Sequence, residues 1–500
     1  MRSMENKRVL VIGLGKSGTA ASALLRKRGA QVVAVDSADT DALRQETGGL
    51  RAEGTEVLLG ARQAPAGVFD LVVTSPGVLP TNPILAEMMR RGAPVIGELE
   101  LGFQNSLCLN IAITGTNGKT TTTELVERLL QQNQTKTIAA GNIGVPFCSV
   151  VGQTAELDFL TLEVSSFQLE TIQFFRPVIA VLLNLSPDHF DRYSGMDEYI
   201  RAKARVFMNQ QAFDWAIVQS EALAKMQALG VSIPSKVITF SATDTAADIH
   251  LDRGLLISRM EGWSGPLLDM DHCRLRGPHN AENLMAALAV GRVLRIGLSG
   301  MVEALKTYSP AAHRCEVVAE VDGVTYINDS KATNLDAVQK ALLSVPAAPD
   351  DYANVWLIAG GRDKGLGFHD IGPLLSRKVK GAFLIGEARE KIRAAWGLFA
   401  PCTLANSLVE AVEEAARKAA PGDVVLLSPA CSSFDQFRDY KHRGEVFRQA
   451  VKNLENHRSA PGGATGGPLA GSGPLTEPFN GDFNSTGASE RSRELIEARI

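Results

Sequence analysis

The segment Thr114–Thr121 has the residue pattern with the clearest chemical consequence. It reads T-G-T-N-G-K-T-T and lies between the β-rich run Cys108–Ile113 and a helical pattern. Backbone N–H groups of such a strand–loop–helix turn form an anion nest. Lys119 would neutralise the terminal phosphates of a nucleotide, and the Thr120 hydroxyl would reach Mg²⁺. Ile113 stands where the complete phosphate-loop pattern has its first glycine. We predict ATP binding by Gly115, Thr116, Asn117, Gly118, Lys119, Thr120 and Thr121.

Two further side chains could hold a metal ion beside this loop. Glu163 ends a strand-like run, and His189 follows Asp188 in a loop. Acids at strand ends near a nucleotide loop hold Mg²⁺, and a neutral imidazole can hold an ion. Each alone has a simpler interpretation, a solvated strand end or a hydrogen-bonded turn histidine. Together with Lys119 they favour metal-assisted phosphoryl chemistry.

A first glycine-rich loop, Gly13–Gly18, reads G-L-G-K-S-G, and Asp36 ends the next strand-like run. Such a turn brings a phosphate to a helix N-terminus, and the acid can bind a ribose hydroxyl. A nicotinamide-dependent oxidoreductase is therefore one alternative, although it leaves Gly115–Thr121 without a purpose. By spacing alone, Lys203 belongs to a basic helix face.

Length and composition limit the class of protein. The 500 residues allow roughly three or four domains. The net charge of −4 does not indicate a nucleic-acid surface, and no apolar run has the roughly 18–20 residues of a membrane span. Six cysteines without a C-x-x-C pair argue against a disulfide framework or zinc knuckle. We expect a soluble cytoplasmic protein that binds no nucleic acid and does not insert into membranes.

The order of strand and helix patterns predicts an α/β fold, with a parallel sheet covered on both faces in the first hundred residues. Strand-like runs and helical patterns alternate in three successive parts of the chain, and a segment rich in Gly, Pro, Ser, Thr and Asn follows. That segment has too little apolar surface to offset its ordering entropy. The predicted domains are residues 1–105, 106–310 and 311–457, with a disordered tail at 458–500.

Several motifs occur in an order that resembles the ATP-dependent Mur ligases of bacterial cell-wall synthesis. They are G-T-N-G-K-T-T at Gly115–Thr121, E-V-S-S-F-Q-L-E at Glu163–Glu170, G-P-H-N-A-E-N at Gly277–Asn283, N-D-S-K-A-T-N at Asn328–Asn334 and S-P-A-C-S-S-F-D-Q-F at Ser428–Phe437. The last two are the more specific to the D-glutamate-adding branch of the family. The resemblance covers about residues 5–455.

The resemblance implies three domains: a Rossmann-like N-terminal domain that binds UDP rather than NAD, a P-loop-type central ATPase domain, and a Rossmann-like C-terminal domain for the amino acid. It implies an ATP-dependent ligase that joins D-glutamate to UDP-N-acetylmuramoyl-L-alanine through an acyl phosphate. The cofactors would be ATP, two Mg²⁺ ions and a CO₂-derived carbamate on Lys203. The enzyme would act as a monomer.

The resemblance also implies residue roles. Lys119, His189 and Lys203 would be catalytic, and Thr120, Glu163, His189 and carbamylated Lys203 would hold metal. His279, Asn280, Asn283, Arg314, Asp329 and Lys331 would complete the ATP site. Gly13, Gly15, Asp36, Ser37, Asn142, Ser165, Thr333, Lys364, Ser433 and Tyr440 would bind the substrates. Tyr440 stands where the family often has Phe. Another Mur ligase, a folylpolyglutamate synthase-like enzyme and a non-catalytic scaffold remain alternatives.

Overall fold

A computed structural model describes residues 4–309, 312–345, 353–363, 365 and 367–459. The chain divides into one compact unit at Met1–Glu455 and a second unit at Asn456–Ile500. The predicted disordered tail at 458–500 lies outside the described residues from 460 onward; before that point a helix continues to Ser459. Among the described residues, no helix combines the length and apolar composition that a bilayer crossing requires.

The N-terminal part forms a parallel sheet with the strand order β3-β2-β1-β4-β5. The chain order reverses between β1 and β4, and ligands bind beyond the carboxyl ends of the strands at such a switch point. The bounds are β1 Arg8–Ile12, α1 Lys16–Lys27, β2 Gln31–Val35, α2 Asp41–Glu46, α3 Gly48–Ala52, β3 Glu56–Leu58, β4 Leu71–Thr74, α4 Pro83–Arg90, β5 Val95–Gly97 and α5 Glu98–Asn105.

The central part forms a mixed sheet with the order β14-β13-β12-β11-β10-β9-β6-β8-β7. Its bounds are β6 Leu109–Thr114, α6 Lys119–Gln132, β7 Thr137–Gly141, α7 Phe147–Val150, β8 Phe159–Glu163, α8 Ser166–Leu169, β9 Ile179–Leu182, α9 Met196–Ala204, β10 Trp215–Gln219, α10 Ser220–Ala228, β11 Lys236–Ser241, β12 Ile249–Asp252, β13 Leu255–Ser258, β14 Gly265–Asp269, α11 Pro278–Val293 and α12 Leu298–Lys306. Strands β12 to β14 pair antiparallel, which makes this sheet mixed; the parallel sheet expected in the first hundred residues is confirmed in the N-terminal part.

The third part has the sheet order β15-β16-β20-β17-β18-β19, and β15 pairs antiparallel with β16. Its bounds are β15 Glu316–Val321, β16 Val324–Asn328, α13 Leu335–Ser344, β17 Val355–Gly360, α14 Gly372–Lys378, β18 Val379–Ile385, α15 Arg389–Trp396, β19 Cys402–Leu404, α16 Leu408–Lys418, β20 Val424–Leu427 and α17 Tyr440–Ser459. The antiparallel pairing of the edge strand β15 makes this sheet mixed as well.

Apolar strand residues account for the sheets and their burial. Strands β1, β6, β9 and β20 are runs of β-branched and aliphatic residues that are buried almost throughout. Continuous apolar strands of this kind are typical of parallel sheets covered on both faces. Many of the predicted site residues lie instead on loops that follow strands, where polar groups can remain accessible, and others lie on helices. The buried sheets thus provide a rigid support for the polar loops at their carboxyl ends.

Candidate functional site

A cavity of about 720 Å³ opens at the switch point between β1 and β4. Gly18 is essential to its shape, because a Cβ there would lie 1.8 Å from the Gly13 carbonyl oxygen. Asp36 holds the turn by accepting hydrogen bonds from the backbone of Leu14 (2.7 Å) and Ala38 (2.8 Å). The predicted substrate residues that line the cavity are Gly13, Gly15, Asp36, Ser37 and Asn142.

The second glycine loop connects β6 to the start of α6. Gly118 has φ +84°, and a Cβ at that position would lie 2.3 Å from Asn283 Oδ1, so the turn requires glycine. Helix α6 begins at the next residue, Lys119, whose Nζ donates to the carbonyl oxygens of Gly115 (2.9 Å) and Thr116 (2.8 Å). An ammonium group and the free N–H groups of a helix start therefore meet at one point, which is a strong anion site.

Glu163 lies at the end of β8, next to the phosphate-loop strand β6. Its Oε2 accepts from Thr120 Oγ1 (2.6 Å), and its Oε1 accepts from Asn142 Nδ2 (2.7 Å). Among the described residues, no group of three or more His, Cys, Asp and Glu side chains could hold a metal by itself. Mg²⁺ commonly takes one or two protein oxygens together with water and phosphate oxygens, so the Thr120–Glu163 oxygen pair fits this ion.

Lys203 is a buried lysine at the end of α9, with only 2% of its surface exposed. Its Nζ donates to the Gly115 carbonyl oxygen (2.8 Å) and lies 4.8 Å from the ring centre of Tyr199. Burial, and then the ammonium of Lys119, lower the pKa of the Lys203 amine well below its ordinary value. A deprotonated amine at this position is a nucleophile, which is the form that reacts with CO₂.

His189 lies in a left-handed turn with φ +58°. Its backbone N–H donates to Asp188 Oδ1 (2.9 Å), and its Nε2 lies 3.6 Å from Asp188 Oδ2. Its ring packs against Phe167 at a centroid distance of 4.7 Å. The imidazole is thus oriented by a buried carboxylate and an aromatic ring, on the loop that follows β9.

The G-P-H-N-A-E-N motif forms the start of α11. Asn283 accepts from Thr122 Oγ1 (3.1 Å) and donates to Asn280 Oδ1 (3.2 Å), so these amides connect α11 to the phosphate-loop helix. Burial, with the Lys340 ammonium as the second cause, lowers the pKa of His279 to about 4. His279 is therefore uncharged at neutral pH, as suits a contact with a neutral base or sugar.

The predicted residues of the third part come from several segments: Arg314 precedes β15, Asp329 and Lys331 follow β16, and Tyr440 begins α17. Burial raises the pKa of Asp329 to about 7. Hydrogen bonds from the Cys315 N–H (3.2 Å) and Ser428 Oγ (3.1 Å) act in the opposite direction and lower this pKa. The Lys331 ammonium lies 4.1 Å from the ring centre of Tyr440. Arg314 opposes the effect of burial by lowering the pKa of both Asp329 and Tyr440. These four side chains consequently form one polar cluster.

Electrostatic contact joins this cluster to the central part. Burial raises the pKa of the Tyr440 phenol, and the carboxylate of Glu163 raises it further. Ser165 uses its hydroxyl to cap α8, exchanging hydrogen bonds with Gln168. The backbone oxygen of the buried Ser433 accepts from Phe437 (2.8 Å). Thr333 lies between Lys331 and α13, and Lys364 lies outside the described residues.

Three family models match successive parts of the chain. They are a MurD-like Mur ligase N-terminal domain at residues 7–97, a Mur ligase middle domain at 113–291 and a Mur ligase glutamate ligase domain at 313–431. Proteins named UDP-N-acetylmuramoylalanine–D-glutamate ligase are similar over most of their length. The one from Acidobacterium capsulatum is 39% identical over 90% of this chain and 96% of its own.

The chain belongs to the Mur ligase family. A relative of the same name from Pelotomaculum thermopropionicum is 40% identical over 91% of this chain and 99% of its own. The Mur ligase resemblance inferred from the motifs is thereby confirmed, and the oxidoreductase hypothesis loses its basis.

Solved Mur ligases share the fold. The MurF ligase from Thermotoga maritima, determined in complex with ADP, has a TM-score of 0.58 at 16% identity and covers 91% of this chain and 100% of its own. The UDP-N-acetylmuramate–alanine ligase MurC from the same organism has a TM-score of 0.57 at 17% identity and covers 90% of this chain and 100% of its own. The predicted three-domain α/β class is confirmed, whereas the exact domain bounds stay predictions.

The sequence interpretation missed several polar residues of this Mur ligase site. Asp188, Asn184 and Asn334 are involved in hydrogen bonds around the phosphate loop. Two of them stood in motifs already quoted: Asp188 precedes His189, and Asn334 ends N-D-S-K-A-T-N. Asp336 gave no such signal, because an acid in the first turn of a helix is ordinary.

Proposed function

We propose that this Mur ligase joins D-glutamate to UDP-N-acetylmuramoyl-L-alanine at the expense of ATP, in peptidoglycan precursor synthesis. The observation that carries the proposal is the 36–40% identity, over about 90% of the chain, to relatives named for that reaction. The geometry agrees with it, since Lys119 and Lys203 both reach the carbonyl of Gly115 in the phosphate loop.

The proposed reaction has two steps, formation of an acyl phosphate and its displacement by the amine. An oxygen of the L-alanyl carboxylate attacks the γ-phosphorus, the bond to the bridging β,γ-oxygen breaks, and ADP leaves. The amine of D-glutamate then attacks the acyl carbon, the carbon–oxygen bond breaks, phosphate leaves, and the nitrogen loses a proton. Each reactant is anionic, so positioning and charge neutralisation supply the catalysis.

The chain's own residues fit this chemistry. Lys119 neutralises the terminal phosphates, and Lys331 and Arg314 approach them from the third part. Thr120 and Glu163 would hold one Mg²⁺, with His189 toward a second; bound there, the ions polarise phosphoryl oxygens. The remaining ATP contacts would come from Gly115, Thr116, Asn117, Gly118, Thr121, His279, Asn280, Asn283 and Asp329.

Lys203 would act as an anionic ligand after carbamylation. Its neutral amine attacks CO₂, a nitrogen–carbon bond forms, and one proton is released, so that a cation becomes an anionic oxygen donor. Burial of the amine favours the neutral form that this step needs, because it lowers the pKa of the amine.

The substrates would occupy opposite sides of this centre. The UDP-sugar would bind in the cavity at Gly13, Gly15, Asp36 and Ser37, with Asn142 and Ser165 directing its alanyl end. D-Glutamate would bind to Thr333, Ser433, Tyr440 and Lys364.

The test is phosphate release by the purified protein with ATP, Mg²⁺ and UDP-N-acetylmuramoyl-L-alanine, across a panel of amino acids. D-Glutamate should stimulate release strongly, and L-glutamate, L-lysine and meso-diaminopimelate should not. Lys119→Ala serves as the inactive control. Stimulation by another amino acid, with none by D-glutamate, would overturn the assignment.

A further inference from the structure

The first turn of α13 contacts both the phosphate loop and the Asp188–His189 turn. Asn334 is the N-cap residue of α13, and its Oδ1 accepts from the N–H of Ala337 (2.9 Å). The same oxygen accepts from Asn117 Nδ2 (3.4 Å), while Asn334 Nδ2 donates to Asp188 Oδ2 (3.1 Å). One amide therefore joins a helix start, the phosphate loop and the turn that holds His189.

Asn117 is itself fixed on both sides. Its backbone N–H donates to Asn184 Oδ1 (2.8 Å), and its backbone oxygen accepts from Asn184 Nδ2 (3.0 Å). Its side-chain Nδ2 also donates to Asp336 Oδ2 (2.5 Å), which accepts from Lys340 Nζ (2.8 Å) as well. A shift of the phosphate loop would thus be transmitted directly to α13.

Burial makes these contacts consequential. Asn334 and Asp188 are both buried, so neither can exchange its partner for bulk water. A buried amide or carboxylate that loses its partner remains unsatisfied, which is costly. The contacts therefore favour one relative placement of α13 and the two loops.

The residues that would receive D-glutamate and ATP lie immediately before Asn334. The segment Asp329–Asn334 is held at its start, where the Asp329 N–H donates to the Leu427 oxygen (2.8 Å), and at Lys331, whose N–H donates to the His313 oxygen (3.1 Å). Its other end is held by Asn334 through Asp188 and Asn117. The position of Thr333 thus depends on the Asn334 contacts.

We propose that Asn334 is a positioning residue that couples the D-glutamate-binding segment to the phosphate loop through its hydrogen bonds to Asp188 and Asn117. The inference rests on the proposed ligase function and extends it by naming a residue that connects the two half-sites. Asn334 contacts no reacting atom. Its role is to fix the positions of Lys331 and Thr333 during the attack of the amine on the acyl phosphate.

A purely structural role for Asn334 would be to cap α13, and substitutions can separate the two roles. Serine and aspartate are N-cap residues about as good as asparagine. Asn334→Ser and Asn334→Asp therefore keep the cap but lose the amide Nδ2 that donates to Asp188. The serine hydroxyl is on a shorter side chain, and the aspartate also opposes a second carboxylate. Ser407→Ala, which removes the cap of α16, is the matched control for lost capping alone.

The experiment measures ligation kinetics and thermal unfolding for the wild type, these three variants, Asp188→Asn and the double variant Asn334→Asp/Asp188→Asn. Asn334→Ser should raise the KM for D-glutamate about ten-fold, as expected for the loss of one hydrogen bond to a charged group, and should also lower the unfolding temperature, because the buried Asp188 carboxylate loses a partner. Ser407→Ala should lower that temperature and leave the KM unchanged. The double variant restores a donor–acceptor pair with reversed polarity, so its kcat/KM should exceed that of Asp188→Asn.

Two results would overturn the coupling: additive effects in the Asn334–Asp188 cycle, or a D-glutamate KM that Asn334→Ser leaves unchanged. The same cycle is measured a second time as affinity for a non-hydrolysable ATP analogue by calorimetry, with no amino acid present. If the wild type failed to ligate D-glutamate, the proposed function would fall, and the calorimetric cycle would still decide the coupling: non-additivity supports it and additivity rejects it.

Discussion

At Lys203, the burial of the side chain opposes the positive charge that a lysine ordinarily carries. A lysine ammonium is strongly hydrated, yet this side chain is buried against a carbonyl, an aromatic ring and a second lysine. We predict that Lys203→Ala reduces ligation by at least about a thousand-fold, since it removes a metal-directed charge. Acetate should restore part of the activity by supplying a carboxylate in the vacated space.

The control for that rescue is Arg201→Ala, on the same helix but exposed, which should retain activity and gain nothing from acetate. Acetate that failed to restore any activity would contradict the anionic-ligand role of Lys203. Carbon-13 NMR of protein equilibrated with labelled CO₂ would detect the carbamate itself. Its signal should increase with pH, because the neutral amine is the reactive form.

The properties of some site residues could be predicted from the sequence, and those of others could not. The phosphate loop was predictable because its chemistry follows from local spacing, and α6 begins within it at Lys119. The burial of Lys203 was not predictable from spacing, since Arg201 and Lys203 occupy one short helix and only tertiary packing decides which side is covered. Only the family resemblance, through the carbamate that it implies, indicated a position that disfavours the ammonium form. Asn334 belongs to a motif that was recognised in the sequence. Its hydrogen bond to Asp188 was not predictable, because the two residues are 146 positions apart in the chain.

At the scale of elements, α5 connects the first sheet to the central part through two buried carboxylates. Glu100 accepts from the N–H groups of Gln173, Phe174 and Phe175 at 2.9 to 3.1 Å. Glu98 accepts from the Cys148 N–H (2.7 Å). Such anchors fix the approach of one sheet to the next more firmly than apolar contact does, because hydrogen bonds are directional.

Glu98 should make the stability of the protein depend on pH. Burial raises the pKa of its carboxyl to about 7 from the ordinary 4.5, and its Oε2 has no hydrogen-bond partner within the described part of the chain. The folded state therefore holds a proton that the unfolded state releases, so stability decreases as pH rises from about 4.5 through 7. The decrease is up to about 3 kcal/mol.

Glu98→Gln should abolish that decrease, so that its curve of unfolding free energy against pH is flatter than that of the wild type between pH 4.5 and 7. Denaturant titrations at several pH values would measure it. Glu53→Gln, an exposed position in the same sheet region, is the control and should follow the wild type. Parallel curves for the wild type and Glu98→Gln would contradict the prediction.

Some helices and strands could be predicted from the sequence with accurate bounds, and others could not. The apolar run Leu71–Thr74, which ends at Ser75-Pro76-Gly77, predicts a strand, and β4 has those bounds. The segment Ser407–Lys418 has a helical pattern, and α16 begins one residue later because Ser407 is the cap. Strands β12 to β14 were not recognised. They are only four or five residues long and partly exposed, so their alternation is too brief to separate from loop composition.

At the scale of the whole molecule, the family matches end well before the C-terminus, at residue 431, and similar relatives align over about 90% of the chain. We predict that a variant ending at Ser459 retains kcat/KM within about two-fold, because the predicted site residues all precede that point. Steady-state ligation assays would measure it. A loss of ten-fold or more would show that residues 460–500 contribute to the reaction.

The location of the site across three sheets predicts a change of shape on ligand binding. Lys119 and Glu163, proposed for ATP and Mg²⁺, belong to the central part, whereas Lys331 and Tyr440, proposed for ATP and D-glutamate, belong to the third. Hydrogen bonds of Asn117 and Asp188 with the first turn of α13 hold these parts together at the phosphate loop. ATP and D-glutamate would add contacts on both sides of that junction and so favour its closed form.

Small-angle scattering of the protein, alone and with UDP-N-acetylmuramoyl-L-alanine, an ATP analogue and D-glutamate, should show a smaller radius of gyration in the presence of the ligands. Asn334→Asp should require higher ligand concentrations for the same compaction, because it weakens the closed form without altering the ligand contacts of the central part. Ser407→Ala should compact as the wild type does. Scattering profiles that remained identical with and without ligands would contradict closure, and the site would then have to assemble without any movement of its parts.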